Sequence, residues 1–387
     1  MPYYRKKPIP VEARQFTGDN FQELQYWDND FIALSDYNED TICVHTLEGP
    51  VWGEKGDYIV KGVRGEFYIC QKDLFEETYE PSDKHDATTI RPTPIIDMFS
   101  GTGELARAVS AALVEPSCPV SFSDTYGPAR KYLNYRCPDV EVRKDFRDQD
   151  VPEGSIVTIG APCQDLSVAG KHAGAERDSN TRSALIHEAL DMAVAGGAAL
   201  IVAENVPNGH SVYLSLADWL RTEHDYATTV SSAGAWEVGA LHRRERLMLV
   251  AARQRFEAHR ARIVRYTAPR HQVPTPMASS STGPGSFGRS GGDNLQTWVH
   301  TGNRPSPLNS TLWTHVTGLP MPRLEDDRGR LNAAFVEWLM GLPSDNAANL
   351  SRCARIRLAG NAVVGLQARL MLQRGLTATN DARGILR

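Results

Sequence analysis

The sequence has no apolar run long enough to span a bilayer, and no apolar segment follows Met1-Pro2-Tyr3-Tyr4-Arg5-Lys6-Lys7. Neither a membrane span nor a secretory leader is expected. Cysteine is sparse: six in 387 residues, at positions 43, 70, 118, 137, 163 and 353, with no C-x-x-C pair. That spacing argues against a zinc site and against a disulfide framework, so no metal and a reducing cytoplasm are expected. Lysine is missing after Lys171, which leaves arginine to make every strong basic contact in the second half. A third glycine after Gly101-Thr102-Gly103 and a P-loop lysine are both missing, so neither a full dinucleotide fingerprint nor a nucleotide-triphosphate loop is present.

What is there divides by charge. Residues 1–82 carry 8 Lys and Arg against 16 Asp and Glu, a balance of −8, so the net −5 of the whole chain leaves +3 on the remainder. Mild basicity is compatible with a polyanionic partner. The front segment alternates short apolar stretches, such as Thr41-Ile42-Cys43-Val44 and Tyr58-Ile59-Val60, with turn signals such as Glu54-Lys55-Gly56-Asp57. This pattern predicts a small α+β domain over 1–82 with a compact antiparallel sheet and a helix near Phe21–Leu24. Gly56 is expected to permit a turn, and Asp57 to bond backbone within it. Residues 83–92 read as a linker.

From Thr93 the texture changes to strands alternating with helices. Pro94–Phe99, Val120–Asp124, Ser155–Ile159, Ala198–Ala203 and Leu247–Ala251 read as buried strands, and Glu104–Leu113 and Ser183–Ala195 as helices. Alternation of this kind predicts an α/β fold with a doubly wound, mostly parallel sheet over 93–251. The pattern fades over 252–330, a stretch rich in Pro, Gly, Ser and Thr. There Arg260, Arg262, Arg265, Arg270, Arg289 and Arg304 are interleaved with Tyr266, Phe287, Trp298 and Trp313, a mixture suited to phosphate contact and base stacking. Residues 331–376 return to regular structure, with a last helix near Ala362–Gln373, and 377–387 form a tail.

Candidate chemistry gathers at strand ends, where open α/β sheets bind ligands. Asp97, Phe99, Ser100, Gly101, Thr102 and Gly103 form a turn into a helix, and its free N–H groups suit a carboxylate or phosphate. Asp124 ends the next strand, where a carboxylate can take ribose hydroxyls, and Asp145 and Phe146 are placed to bracket an adenine. Cys163, with Pro162 before it and Gln164, Asp165 and Ser167 after it, stands just past a buried strand, as a reactive thiol would. Glu204 and Asn205 end another strand. Arg244 and Arg246 precede a further one, and Asn361 and Val363 form a turn into the last helix.

The order of these motifs, from Pro94 to Gln373, resembles the DNA cytosine C5-methyltransferase family. Its "DLFSGxGG" stands as Asp97–Glu104, with Glu104 in place of a glycine. Its "PCQxxS" is Pro162–Ser167, its "ENV" Glu204–Val206 and its "GNAV" Gly360–Val363. Its "PQxRxR" is similar to Leu241–Arg246, where Leu241-His242 replace Pro-Gln, and Leu331–Pro343 is similar to the penultimate block. The front segment is similar to small phage proteins of the "PGDYG" type, through Tyr4–Pro8, Glu12–Gln15 and Lys55–Ile59.

The first resemblance implies a Rossmann-like methyltransferase fold, S-adenosylmethionine as cofactor and double-stranded DNA as partner. It implies Cys163 as the nucleophile at cytosine C6, Glu204 at N3 and the amino group, Arg244 at O2, with Pro162 and Asn205 beside them. Phe99–Gly103, Asp97, Asp124, Asp145, Phe146, Asn361 and Val363 would surround the cofactor. Gln164, Ser167, Arg246, Arg270 and Arg289 would touch DNA, with 252–330 as the target-recognition region. A monomer in the cytoplasm of a bacterial host is expected, phage-borne and with or without a restriction partner. Transfer to cytosine in RNA, and a catalytically weak DNA-binding homologue, are the alternatives.

Overall fold

A computed structural model of the chain describes residues 11–20, 24, 32–34, 40–46, 49–62, 67–81, 92–113, 117–162, 184–253, 307–344 and 349–382. They divide into two units, Met1–Arg91 with Thr317–Leu319, and Pro92–Val316 with Pro320–Arg387.

The first unit holds two three-stranded antiparallel sheets. In one, β1 (Glu12–Gln15) and β6 (Phe67–Cys70) flank β5 (Tyr58–Lys61); in the other, β2 (Ile32–Leu34) and β4 (Gly49–Glu54) flank β3 (Thr41–Thr46). Phe16, Leu24, Ile42, Val44, Ile59 and Phe67 form its core. The turn before β5 is built as its residues dictate: Gly56 takes φ +105°, and Asp57 accepts the Glu54 N–H at 2.9 Å. A short helix, α1 (Lys72–Thr78), lays Phe75 between Tyr58 and Tyr79, with ring centroids 3.9 and 4.6 Å apart. The helix expected near Phe21–Leu24 lies outside the described residues, Leu24 excepted.

The second unit is built on a seven-stranded sheet. Its strands are β7 (Thr93–Met98), β8 (Ser117–Ser123), β9 (Glu141–Arg143), β10 (Ile156–Ile159), β11 (Leu200–Asn205), β12 (Tyr226–Gly234) and β13 (Glu245–Arg253), in the order β12-β13-β11-β10-β7-β8-β9. Only β13 runs against its neighbours. The central strands read as unbroken apolar runs because both faces are covered: every residue of β10 and of β11 is buried. Alternation then sends their side chains two ways. Ile95, Leu200 and Val202 pack against α2 (Glu104–Ala112) and α9 (Gly365–Ala382). Ile96, Met98, Val157, Ile159 and Ile201 pack against α4 (Ala184–Ala195) and α5 (His210–His224). The remaining helices are α3 (Gly127–Arg136), α6 (Pro307–Thr317), α7 (Ala333–Leu339) and α8 (Arg352–Asn361). The doubly wound, mostly parallel sheet is the one the alternation predicts.

Two differences from the sequence reading have simple physical causes. β12 reads Tyr-Ala-Thr-Thr-Val-Ser-Ser-Ala-Gly, an edge strand whose polar side chains hide its period-2 pattern. The last helix runs Gly365–Ala382, starting three residues later than expected, and a separate helix, α8, ends at Asn361. No described helix is long and apolar enough to cross a membrane.

Strand order reverses between β7 and β10, which pair in parallel and send their connections to opposite sides. The crevice outside the carboxyl ends of these two strands is where such sheets place a ligand.

Candidate active site

The loop leaving β7 lines that crevice. Phe99, Gly101 and Gly103 all take positive φ, at 59°, 55° and 76°, so the chain turns sharply before α2 begins at Glu104. A Cβ at Gly103 would stand 3.0 Å from Leu133 and 3.1 Å from Phe122, a tight fit that adds to the strain of a left-handed backbone there. Phe99 is not a glycine, and its left-handed backbone is strain held by the surrounding structure. The turn is tied to the next strand, since Ser100 N–H reaches Ser123 O at 2.8 Å and Asp124 Oδ2 accepts the Gly101 N–H at 2.8 Å.

Behind the turn sits Asp97, 1% exposed. Its Oδ1 accepts from Thr158, and its Oδ2 is buried with no partner among the described residues. Burial pushes its pKa up to about 7; hydrogen bonds from Thr158 and Ser100 oppose the rise, and the Asp124 charge adds to it. A neighbouring network of Ser121, Ser123 and Gln149 hydroxyl and amide groups, with bonds of 2.7 and 2.8 Å, braces the same strand ends.

A cavity opens here, walled by Asp97, Phe99–Thr102, Glu104, Leu105, Gly160, Glu204 and the closing loop Asn361–Val363. Asp97, Phe99, Ser100, Gly101, Thr102, Asn361 and Val363, all expected at the cofactor, therefore meet in one place. Gly103 and Asp124 stand just behind this wall and shape the turn. Asp145 and Phe146 do not line it. Asp145 caps a short 3-10 turn and holds Arg147, while the Phe146 ring lies 4.8 Å from Phe99 and 4.8 Å from the Arg147 guanidinium. Arg147 is held in turn by Glu188, at 2.5 and 2.6 Å.

Glu204 is the last buried acid of β11. It lies opposite Met248 of the antiparallel β13, so Arg246, two residues along, is its diagonal neighbour on the same face. Arg246 Nε stands 3.0 Å from Glu204 Oε1, with both side chains about nine-tenths buried, at 9% and 11% exposure. Burial raises the Glu204 pKa, and Arg246 and then Arg244 oppose the rise. The sequence reading gave Arg246 to DNA and Arg244 to the base. In the structure Arg246 is buried beside Glu204, and Arg244 turns to the closing loop. Arg244 donates to Gly360 O at 3.0 Å and Ala362 O at 2.7 Å. Its backbone carbonyl accepts from Gln367, at 2.6 Å.

Asn205 is also buried, and it donates to Ala161 O at 3.4 Å, so it ties β11 to the loop that leads through Pro162. It supports that loop and makes no contact with the cavity. Cys163, Gln164, Ser167, Arg270 and Arg289 lie outside the described residues, as does most of the expected recognition region. Sequence reading missed Thr158, Gln149, Gln367 and Tyr213, whose hydroxyl donates to Glu204 O at 3.0 Å. All four are polar residues in buried positions, and the polar threonine inside the apolar run Ile156–Ile159 is the signal that was available.

The chemistry of the cavity fits S-adenosylmethionine. A buried carboxylate oxygen without a partner, a strand-end Asp124 and a glycine turn into a helix suit a ligand that bears cationic groups, ribose hydroxyls and a carboxylate.

A sequence model of C-5 cytosine-specific DNA methylases matches residues 93–287. The Type II methyltransferase M2.BsuMI of Bacillus subtilis is 26% identical over 289 residues, 70% of this chain and 72% of that protein. The Type II methyltransferase M.CviJI of Paramecium bursaria Chlorella virus IL3A is 26% identical over 167 residues, 42% of this chain and 44% of that one. Among solved structures, the S. pombe Dnmt2 methyltransferase is similar at a TM-score of 0.45 and 16% identity, over 75% of this chain and 99% of that one.

Proposed function

The chain belongs to the C-5 cytosine-specific DNA methylase family, and from that premise we propose how its residues carry the methylation of cytosine C5 in duplex DNA. The observation that carries the assignment is the buried Glu204–Arg246 pair, whose Glu204 lines the cavity formed by the β7 turn and the closing loop.

Cytosine C5 is a poor nucleophile until a group adds at C6. Cys163 follows Pro162 on the loop that Asn205 holds, and its thiolate is the group proposed to add there. The Cys163–C6 bond makes C5 enamine-like. Glu204, whose burial favours its neutral form, can offer a proton to N3 and accept from the amino group as charge develops on the ring. Arg246 fixes the Glu204 carboxyl and presents a guanidinium to O2, the role the sequence reading gave to Arg244. The target base must leave the helix to reach these groups.

The cofactor S-adenosylmethionine supplies an electrophilic methyl group on a sulfonium. Asp97, the Ser100–Gly103 turn, Asn361 and Val363 would hold it, and Arg244 would keep the closing loop in place. Loss of the C5 proton then expels Cys163 as a thiolate.

The M2.BsuMI and M.CviJI names place those proteins among Type II methyltransferases, and the same setting, with or without a partner nuclease, is proposed for this chain. Transfer of a labelled methyl group to duplex DNA tests the reading. The wild type should label DNA, and Cys163→Ala should not. Labelling by Cys163→Ala would refute the covalent route, and bisulfite sequencing of DNA from expressing cells would give the site.

A further inference from the structure

The lead-in to β13 bends at Arg244, whose φ of +21° lies in the region that favours glycine. An arginine held there carries strain that its surroundings must maintain. They do so from two sides. The Arg244 guanidinium donates to Gly360 O at 3.0 Å and to Ala362 O at 2.7 Å, on the closing loop. Gln367, in the first turn of α9, returns the contact: its Nε2 donates to Arg244 O at 2.6 Å and to Ala233 O at 2.8 Å. The Ala235 N–H donates to Arg244 O as well, at 3.2 Å. Arg244 and Gln367 are both buried.

One end of this clasp belongs to the cavity wall, since Ala362 lines it together with Asn361 and Val363. The other end belongs to the acid–arginine pair. Ala233 of β12 is the register partner of Arg246 of β13, and Arg246 Nε stands 3.0 Å from Glu204 Oε1. The bonds made by Arg244 and Gln367 therefore tie the closing loop to the strand end that places Arg246. The planar fork of a guanidinium can meet two carbonyls at once, which an ammonium on a flexible stem does not reproduce. Buried bonds of this kind are costly to leave unmade, so the loop and the strand end are ordered together.

We propose that Arg244 and Gln367 are positioning residues that set the Glu204–Arg246 pair according to the state of the closing loop. The proposal rests on reading the cavity as the cofactor site and the pair as the target-base site. A cofactor seated against Asn361 and Val363 fixes the loop, and the clasp carries that order to Arg246. Loop and pair are then ordered in one step, so whichever ligand binds first favours the other. The effect is reciprocal: the factor by which DNA tightens the cofactor equals the factor by which the cofactor tightens DNA. Neither Arg244 nor Gln367 touches a reacting atom in this account.

Isothermal titration of the full chain with S-adenosylhomocysteine, which has no methyl group to transfer, tests this. The titration is run alone and with a saturating unmethylated duplex that carries the site found by bisulfite sequencing. In the wild type the duplex should tighten S-adenosylhomocysteine about tenfold. Arg244→Ala and Gln367→Met should each bring that factor below about twofold. Arg244→Lys keeps the charge and loses the fork, so it should fall between them and the wild type. A merely structural loss would weaken S-adenosylhomocysteine equally with and without the duplex and leave the factor at its wild-type value. Gln367→Met keeps the Arg244 side chain, so it decides the matter even where Arg244→Ala fails to fold. No tightening in the wild type, or an unchanged factor in either folded variant, would overturn the proposal. A wild type that binds no S-adenosylhomocysteine under either condition would instead remove the cofactor assignment beneath it.

Discussion

At the residue scale the site turns on two buried acids with different compensation. Glu204 has Arg246 at 3.0 Å. Arg246→Ala leaves a buried carboxylate unpaired, which is expected to cost about 3–5 kcal/mol at pH 8. Because burial already raises the Glu204 pKa, the variant should recover as pH falls and the carboxyl takes a proton. Arg244→Ala breaks bonds to the neutral carbonyls of Gly360 and Ala362, so its loss should vary much less with pH. Denaturant titrations of both variants at pH 5 and pH 8 check the contrast.

Asp97 shows the same pH sense in the wild type, because its raised pKa penalises the folded protein once the carboxyl ionises. The neutral form is favoured up to about pH 7, so stability is lost as pH rises from the unfolded value of 3.8 through that point. Asp97→Asn should therefore stabilise the cofactor-free protein at pH 8 but not at pH 4, by roughly 4 kcal/mol at most. The same variant should bind S-adenosylmethionine more weakly. A variant that is less stable than the wild type at pH 8 would contradict this account of Asp97.

At the scale of elements, the sheet was legible because its central strands are buried on both faces and so read as continuous apolar runs. The polar edge strand β12 was not, since half-exposed Thr and Ser positions carry no apolar signal. Most of the cavity wall was legible because its residues are consecutive in the β7 turn and the closing loop. The arginine partner of Glu204 was not. Which of Arg244 and Arg246 meets Glu204 depends on the antiparallel register of β13, and strand direction leaves no mark in the local sequence. Helix α9 covers β13 from the other side through a close contact at Gly375, where a Cβ would stand 2.5 Å from Val250. Gly375→Ala is expected to cost about 1–3 kcal/mol by overpacking, despite the better helix propensity of alanine. Equilibrium unfolding would show this loss, and a gain in stability would mean the contact yields freely.

At the scale of the whole molecule, charge and chemistry are separated along the chain. The acidity lies in residues 1–82, and the family match begins at residue 93. The groups proposed for catalysis and cofactor binding come from chain segments far apart in sequence, namely the β7 turn, the β10 loop, the end of β11, the start of β13 and the loop before α9. The central claim is that these segments assemble one covalent catalyst. Incubating the protein with S-adenosylmethionine and duplex DNA that carries 5-fluorocytosine at the methylated position tests it most directly, because the fluorine cannot leave as the C5 proton does. A stable protein–DNA complex should form, its cross-link should map to the peptide that contains Cys163, and Cys163→Ala should abolish it. A cross-link at another residue, or methylated DNA without any trapped complex, would contradict the account.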